Sequence, residues 1–214
     1  MTHAYAEIYL PDAMNNLGYM FDYAVNDCGI DPEEFFSDFI VSGVAAAFER
    51  GTPKYVAGLS GPELASEVMY RTRQCRLDTP PAENTDKSPE YWAGWILAYY
   101  QWYSARRYSD IQKNGLGMNR VLSLYPTLHE ADVSRFVAAA DHIIEKHKAQ
   151  RASNLQRIRK ANNMTQKELA EASGAALRMV QLYEQRRQDV SKAQAITLSR
   201  IANVLGCAVD DLLE

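Results

Sequence analysis

The sequence has few of the features that mark secreted, disulfide-stabilised or membrane-spanning proteins. Its three cysteines, Cys28, Cys75 and Cys207, lie in unrelated segments without a CxxC pair, so neither a disulfide framework nor a zinc site is indicated. The N-terminus lacks the basic start and apolar core of a signal peptide. No apolar run approaches the roughly 20 residues that cross a bilayer. These absences predict a soluble protein of the reducing cytoplasm that has no membrane partner.

Motifs for catalysis and for cofactor binding are also missing. The sequence has no GxSxG, P-loop or GxGxxG pattern. His142 and His147 are five residues apart, whereas two metal ligands on one helix face lie three or four residues apart. We therefore predict no enzyme activity, no cofactor and no metal site.

The alternation of apolar and polar residues that marks β-strands does not persist for five residues anywhere, and apolar residues recur instead at helical spacings. Capping-box patterns mark helix starts at Ser60–Glu63 and at Thr127–Glu130, the latter before a long helix. One helix is predicted from Asp31 to Arg50, and the proline-rich segment Arg76–Glu90 is predicted to be a loop. The predicted fold class is all-α.

Charge divides the chain into two parts. Residues 1–150 contain 13 Lys and Arg against 20 Asp and Glu, a net charge of −7, whereas residues 151–214 contain 10 against 7, a net charge of +3. A basic module favours binding to a polyanion. We predict a multi-helix domain for partner binding or dimerisation at 1–150 and a DNA-binding domain at 151–214. Lys146–Ser153 is either a linker or a helical arm between them.

The segment from Thr165 to Gln185 reads as two short amphipathic helices. Thr165 and Glu168 form a capping box at the start of the first helix, and Gly174 permits a left-handed turn between the two. The predicted inward positions are Leu169, Ala170, Val180 and Tyr183. The outward face of the second helix is left for a ligand.

The segments LQRIRKANNMTQKELAEASG, LYEQ and TLSRIANVLGCAVDDLLE resemble the Cro/repressor-type helix-turn-helix, or XRE, family from about Asn154 to Glu214. The resemblance implies a five-helix domain. It also implies that Gln166, at the start of the second helix, binds a DNA phosphate and supports the recognition helix. The chain departs from the family pattern at two places. Ala176 stands where the family usually has a Ser or Thr that caps the recognition helix, and Gln185-Arg186 stands where it usually has Asn-Gly. We therefore expect the recognition helix to begin less firmly and to end later.

The residues predicted to face DNA combine hydrogen-bond donors with small apolar groups. Such a surface can read base edges in a major groove. The predicted DNA-binding residues are Thr165, Gln166, Ala176, Leu177, Arg178, Gln181, Leu182, Gln185, Arg186 and Arg187. The expected partner is a double-stranded DNA operator. A homodimer is also expected, because one recognition helix contacts only a few base pairs.

Aromatic residues are concentrated between Tyr91 and Tyr103 and cover more than one helix face. Such a helix is either enclosed by its own domain or completed by the surface of a partner. The residues predicted to form a partner interface are Trp92, Trp95, Tyr99, Trp102 and Tyr103. The partner would be a second copy of the chain or a different protein such as a toxin.

The sequence thus predicts a sequence-specific transcriptional regulator of the repressor type, with the N-terminal domain supplying dimerisation, a partner site or an effector site. The layout also resembles that of antitoxin-type bacterial regulators. The alternative function is therefore that of an antitoxin whose N-terminal domain neutralises a toxin, with DNA binding secondary. A toxin-like reading frame in the adjacent gene would favour this alternative.

Overall fold

The computed structural model describes residues 3–82, 86–150 and 152–213. Over these ranges the regular structure is entirely helical and contains no β-strand, which confirms the all-α prediction. None of the helices in these ranges is both long enough and apolar enough to span a membrane. The chain separates into two compact units, Met1–Glu145 and Lys146–Glu214, and each unit has its own hydrophobic core.

The first unit is built from short and medium-length helices, several of which begin at a proline in the first turn. The helices are α1 (Leu10–Asp22), α2 (Pro32–Val41), α3 (Val44–Glu49), α4 (Pro53–Val56), α5 (Gly61–Arg73), α6 (Pro89–Ser104), α7 (Tyr108–Lys113), α8 (Met118–Leu122), α9 (Tyr125–Leu128) and α10 (Val133–Gln150), whose residues 146–150 belong to the second unit. A π-helical turn, Tyr23–Asp27, extends α1. Proline suits a helix start because its missing N–H would have no partner there.

The α6 helix lies at the centre of this unit and packs closely against α1. A Cβ atom added at Gly94 would lie 2.4 Å from the carbonyl oxygen of Leu17, and one added at Gly18 would lie 2.9 Å from the ring of Tyr91. The two helix backbones therefore meet where neither has a side chain. Around this crossing the core is rich in fully buried aromatic rings, namely Phe21, Phe35, Phe36, Phe39, Phe48, Tyr100 and Tyr108.

Two helix predictions for this unit were wrong in detail. The helix predicted from Asp31 to Arg50 is broken between Val41 and Val44, because Gly43 adopts a left-handed φ of 77°. The long helix begins at Val133 and not at the predicted Thr127–Glu130 capping box. Asp132 accepts a 2.9 Å hydrogen bond from the Ser134 N–H at the start of this helix. A side chain closer to the helix thus takes over the capping role.

The predicted loop at Arg76–Glu90 is non-helical from Arg76 to Ala82 and from Asp86 to Ser88, and α6 then begins at Pro89. Residues 83–85 lie outside the described ranges. In the segment Lys146–Ser153, α10 continues to Gln150. Arg151 in this segment likewise lies outside the described ranges.

The second unit contains the five helices expected of it in order, namely α11 (Asn154–Ala161), α12 (Gln166–Ser173), α13 (Leu177–Glu184), α14 (Ala195–Leu205) and α15 (Val209–Leu212). Their apolar faces meet in one core, formed by Leu155, Leu169, Ala170, Val180, Tyr183, Val190, Leu198, Ile201, Ala202, Leu205 and Leu212. The four inward positions predicted for α12 and α13 are all among these residues.

Candidate nucleic-acid interface

The start of α12 is fixed by a reciprocal capping box, as predicted. The Thr165 N–H donates to Glu168 Oε2 at 2.7 Å, and the Glu168 N–H donates to Thr165 Oγ1 at 3.1 Å. The hydrogen bond from the Thr165 backbone lowers the pKa of Glu168, so its carboxylate stays charged beside the positive end of the helix dipole. Thr165 and Gln166 are therefore held in place by local contacts.

The turn between α12 and α13 confirms the hinge predicted at Gly174, whose φ is 70°. The buried Ser173 hydroxyl donates to the Leu169 carbonyl at 2.6 Å and accepts from the Ala175 N–H at 3.4 Å. The next helix begins after Ala176, which has no side chain to cap it. Ser173 thus orders the approach to α13, whereas the first N–H groups of α13 receive no side-chain cap.

The end of α13 differs from the prediction. The helix stops at Glu184 and does not run on through Gln185-Arg186. Arg186 adopts a left-handed φ of 53°, and the N–H groups of Arg186 and Arg187 fold back onto the carbonyls of Tyr183 and Leu182 at 3.1 and 3.0 Å. Arg186 therefore adopts the left-handed conformation that glycine usually adopts after a helix. The helix ends at Glu184 although no glycine follows it.

A buried ion pair joins α11 to the end of α13. Arg159 Nε and Nη2 donate to the two carboxylate oxygens of Glu184 at 2.6 and 2.9 Å, and the two side chains are only 8% and 1% exposed. Hydrogen bonding to Glu184 raises the pKa of Arg159 despite its burial. Gln166 Nε2 donates to Glu184 at 2.8 Å, and Arg159 also donates to the Met164 carbonyl just before α12. One carboxylate thus fastens α11, α12 and α13 together.

The sequence offered only part of this network. Gln166 was expected to support the recognition helix, and its bond to Glu184 is such a support. Arg159 is not among the residues predicted from the sequence. It lies four positions after Leu155 and therefore on the same, buried face of α11. An arginine on a buried face indicates a partner, because an unpaired buried charge is costly. Its partner lies 25 residues away, so spacing alone could not identify it.

The outward face of α13 has little role in holding the fold. Arg178 and Gln185 are exposed, Leu177 is 39% exposed, and Gln181 and Leu182 are half-buried. Within the described part of the chain the side chains of Arg178 and Gln181 have no hydrogen-bond or ion-pair partner. A rigidly held helix therefore presents unpaired donors to solvent, as a base-reading helix must.

The two arginines after α13 differ in their surroundings. Arg186 is half-buried, and its guanidinium donates to the carbonyls of Lys148 and Ala152. Arg187 is exposed and makes no side-chain contact of this kind within the ranges that are described. Both are among the predicted DNA-binding residues, and a guanidinium at this place can bind a phosphate. Arg187 has all its donors available for that role, whereas Arg186 has some of them committed.

We expect Arg187→Ala to weaken binding to all DNA sequences alike and to lower the slope of log affinity against log salt by about one unit. Arg186→Ala should change the salt slope less, because carbonyls of its own chain already occupy part of its guanidinium. Titrations of both variants between low and moderate salt measure the difference. Equal slope changes would show that Arg186 leaves those carbonyls for phosphate.

The aromatic residues predicted to form a partner interface fall into two groups. Trp92 and Trp102 are buried in the core of the first unit, and Trp102 Nε1 donates to the Tyr5 carbonyl at 2.9 Å. Trp95, Tyr99 and Tyr103 are half-buried. The rings of Tyr99 and Tyr103 are nearly parallel, with centroids 6.1 Å apart. The surface available to a partner is therefore the half-buried group.

Comparison with protein families agrees with this geometry. Residues 154–214 match the model of the Cro/C1-type HTH DNA-binding domain. Searches among curated proteins and among solved structures gave no match. The matched range begins at the first residue of α11 and includes the capped α12, the Gly174 hinge and the exposed α13. Residues 154–214 are therefore a Cro/C1-type helix-turn-helix DNA-binding domain, and this match supports a DNA-binding regulator.

Proposed function

We propose that the chain is a sequence-specific transcriptional regulator of the repressor type, with α13 as its recognition helix. The observation that carries the proposal is the contrast between the two sides of α13. Its inner side is buried through Val180, Tyr183 and Glu184. On its outer side the donors of Arg178 and Gln181 have no partner among the described residues. The net charge of +3 on residues 151–214 favours approach to phosphates.

Arg178 lies in the first turn of α13, where side chains of recognition helices reach base edges. A guanidinium can make two hydrogen bonds to guanine. We expect Arg178→Ala to cost about 1–3 kcal/mol of operator binding and to relax sequence preference at one position. Fluorescence anisotropy with operator variants measures both effects.

Arg135→Ala is the matched control, because it also removes an exposed arginine from a helix, in this case α10. It should leave operator binding unchanged. If Arg178→Ala behaved like Arg135→Ala, the assigned docking would be wrong. Gln181 would then be the next residue to substitute.

The proposed regulator acts as a homodimer on two half-sites one DNA turn apart, about 34 Å. The half-buried Tyr99 and Tyr103 at the C-terminal end of α6 are the proposed contact surface. Light scattering of the full chain, free and with operator DNA, tests this. A single copy bound to a single half-site at full affinity would contradict it.

The alternative function is that of an antitoxin, and the charge of the first 150 residues favours it. Their net charge of −7 suits a basic protein partner, and partly uncovered aromatic rings are typical anchors of such contacts. The adjacent gene provides the test. If it encodes a toxin-like protein, co-expression should restore growth and yield a complex that loses affinity when Tyr99 and Tyr103 become alanine. A toxin left active by co-expression would rule this function out.

A further inference from the structure

An aromatic cleft opens beside the N-terminal half of α6 in the first unit. Its volume is about 370 Å³, within the range of small-molecule sites. The residues that line it are Lys87, Tyr91, Trp92, Trp95, Tyr125 and His129. Five of the six carry aromatic rings, and none of these six described residues is acidic, although the Glu130 carboxylate lies 3.6 Å from His129 Nε2. The described lining is therefore mainly aromatic, with one ammonium group.

Ring contacts hold the walls of the cleft in place. Tyr125 lies edge-on to Trp92 with centroids 5.5 Å apart, and it stacks on His129 at 4.5 Å. Trp92 is 9% exposed and belongs to the core, whereas Trp95 is only half-buried. Core packing thus accounts for Trp92, whereas the described residues cover the Trp95 indole only in part.

A single ammonium group is positioned at the edge of these rings. Lys87 Nζ lies 4.2 Å from the centroid of the Tyr91 ring and donates to Tyr91 Oη at 2.8 Å. Tyr91 is buried, and its hydroxyl donates in turn to Asn15 Oδ1 at 2.7 Å. The tyrosine is therefore fixed, and it orients the lysine. The other two N–H donors of Lys87 have no partner among the described residues.

We propose that this cleft binds a planar aromatic carboxylate. The ring of the ligand would lie against Trp95 and Tyr125, since aromatic groups prefer offset-stacked or edge-on contacts with one another. Its carboxylate would accept charge-assisted hydrogen bonds from Lys87. A cationic ligand is disfavoured by the ammonium already at the site. The proposal concerns binding to the first unit and does not depend on the DNA-binding proposal.

Calorimetric titration of the full chain with 2-naphthoate and with its neutral analogue 2-naphthamide tests the proposal. The acid is expected to bind at least about tenfold more tightly than the amide, because only the acid can form charge-assisted hydrogen bonds. Lys87→Gln should abolish that preference while retaining amide binding. Lys54→Gln is the matched control, because Lys54 also lies over a tyrosine ring, at 5.2 Å from Tyr55, but outside this cleft. It should keep the preference.

Equal affinity for acid and amide, absence of binding by either, or an undiminished preference in Lys87→Gln would each overturn the proposal. The tryptophan emission of the same samples supplies an independent signal, because Trp92 and Trp95 line the cleft. The acid should change this emission in the native chain and in Lys54→Gln. Binding of the acid without any change in emission would place it elsewhere on the chain and contradict the assigned site.

Discussion

Glu184→Ala is expected to unfold the C-terminal unit while the first unit stays folded. The substitution leaves the Arg159 guanidinium buried without its carboxylate and removes the acceptor of Gln166. Breaking a buried pair on one side typically costs about 3–5 kcal/mol. That is comparable to the whole stability of a unit of this size, at about 0.05–0.15 kcal/mol per residue. Specific DNA binding should be lost with the fold.

Two optical signals separate the units in this experiment. All three tryptophans of the chain, Trp92, Trp95 and Trp102, belong to the first unit. Far-ultraviolet circular dichroism of Glu184→Ala should therefore lose the helical signal of the second unit, whereas the denaturant transition followed by tryptophan fluorescence should not move. Both signals should be unchanged in Glu171→Ala, whose carboxylate makes only an exposed contact of 3.8 Å with Lys167.

A double variant provides a further check on the cause. Arg159→Met combined with Glu184→Met removes both charges at once, and replacing a buried ion pair by apolar groups is often neutral or stabilising. The double variant should therefore be more stable than Glu184→Ala. If Glu184→Ala were as stable as Glu171→Ala, the buried pair would not be what holds α13 in place.

Gly94→Ala is expected to destabilise the first unit by about 3 kcal/mol or more. The added Cβ would lie 2.4 Å from the Leu17 carbonyl oxygen, at the crossing of α1 and α6. Backbone atoms cannot turn aside as a flexible side chain can, so the helices must separate. Helix propensity alone predicts the opposite sign, a gain of about 1 kcal/mol for alanine over glycine. The sign of the effect therefore distinguishes close packing from local preference.

Gly29→Ala is the control for this substitution. Gly29 has a left-handed φ of 67°, but no atom of the described residues lies within 4 Å of an added Cβ. Its replacement should cost only about 1–2 kcal/mol of backbone strain. Urea denaturation followed by tryptophan fluorescence measures both variants. A Gly94→Ala variant as stable as the native chain would mean that α1 and α6 do not cross this closely.

The features predicted correctly from the sequence depend on residues close together in the chain. The capping box of Thr165 with Glu168 and the hinge at Gly174 each involve neighbours within three or four positions. Their geometry follows from local hydrogen bonding and from glycine's tolerance of positive φ. The resemblance to a known family then supplied the order of the five helices.

The features that the sequence did not predict depend on contacts that form only in the folded state. Asp132 caps α10 although Thr127–Glu130 has the better local pattern. Arg186 follows α13 with a positive φ, a conformation that favours glycine. The backbone strain of such a residue persists only where the surrounding structure compensates for it. The Arg159–Glu184 pair and the cleft between α6 and α9 bring together residues more than 20 positions apart. Periodicity carries no information about such pairs.

We propose that the outward face of α13 reads a DNA sequence. Selection of binding sites from a randomised duplex library, by the full native chain and by Arg178→Ala, tests this most directly. The native chain should enrich one motif of two half-sites spaced by about one helical turn. Arg178→Ala should enrich the same motif with one position in each half-site relaxed. Failure of the native chain to enrich any motif, or an identical motif from both proteins, would contradict the claim.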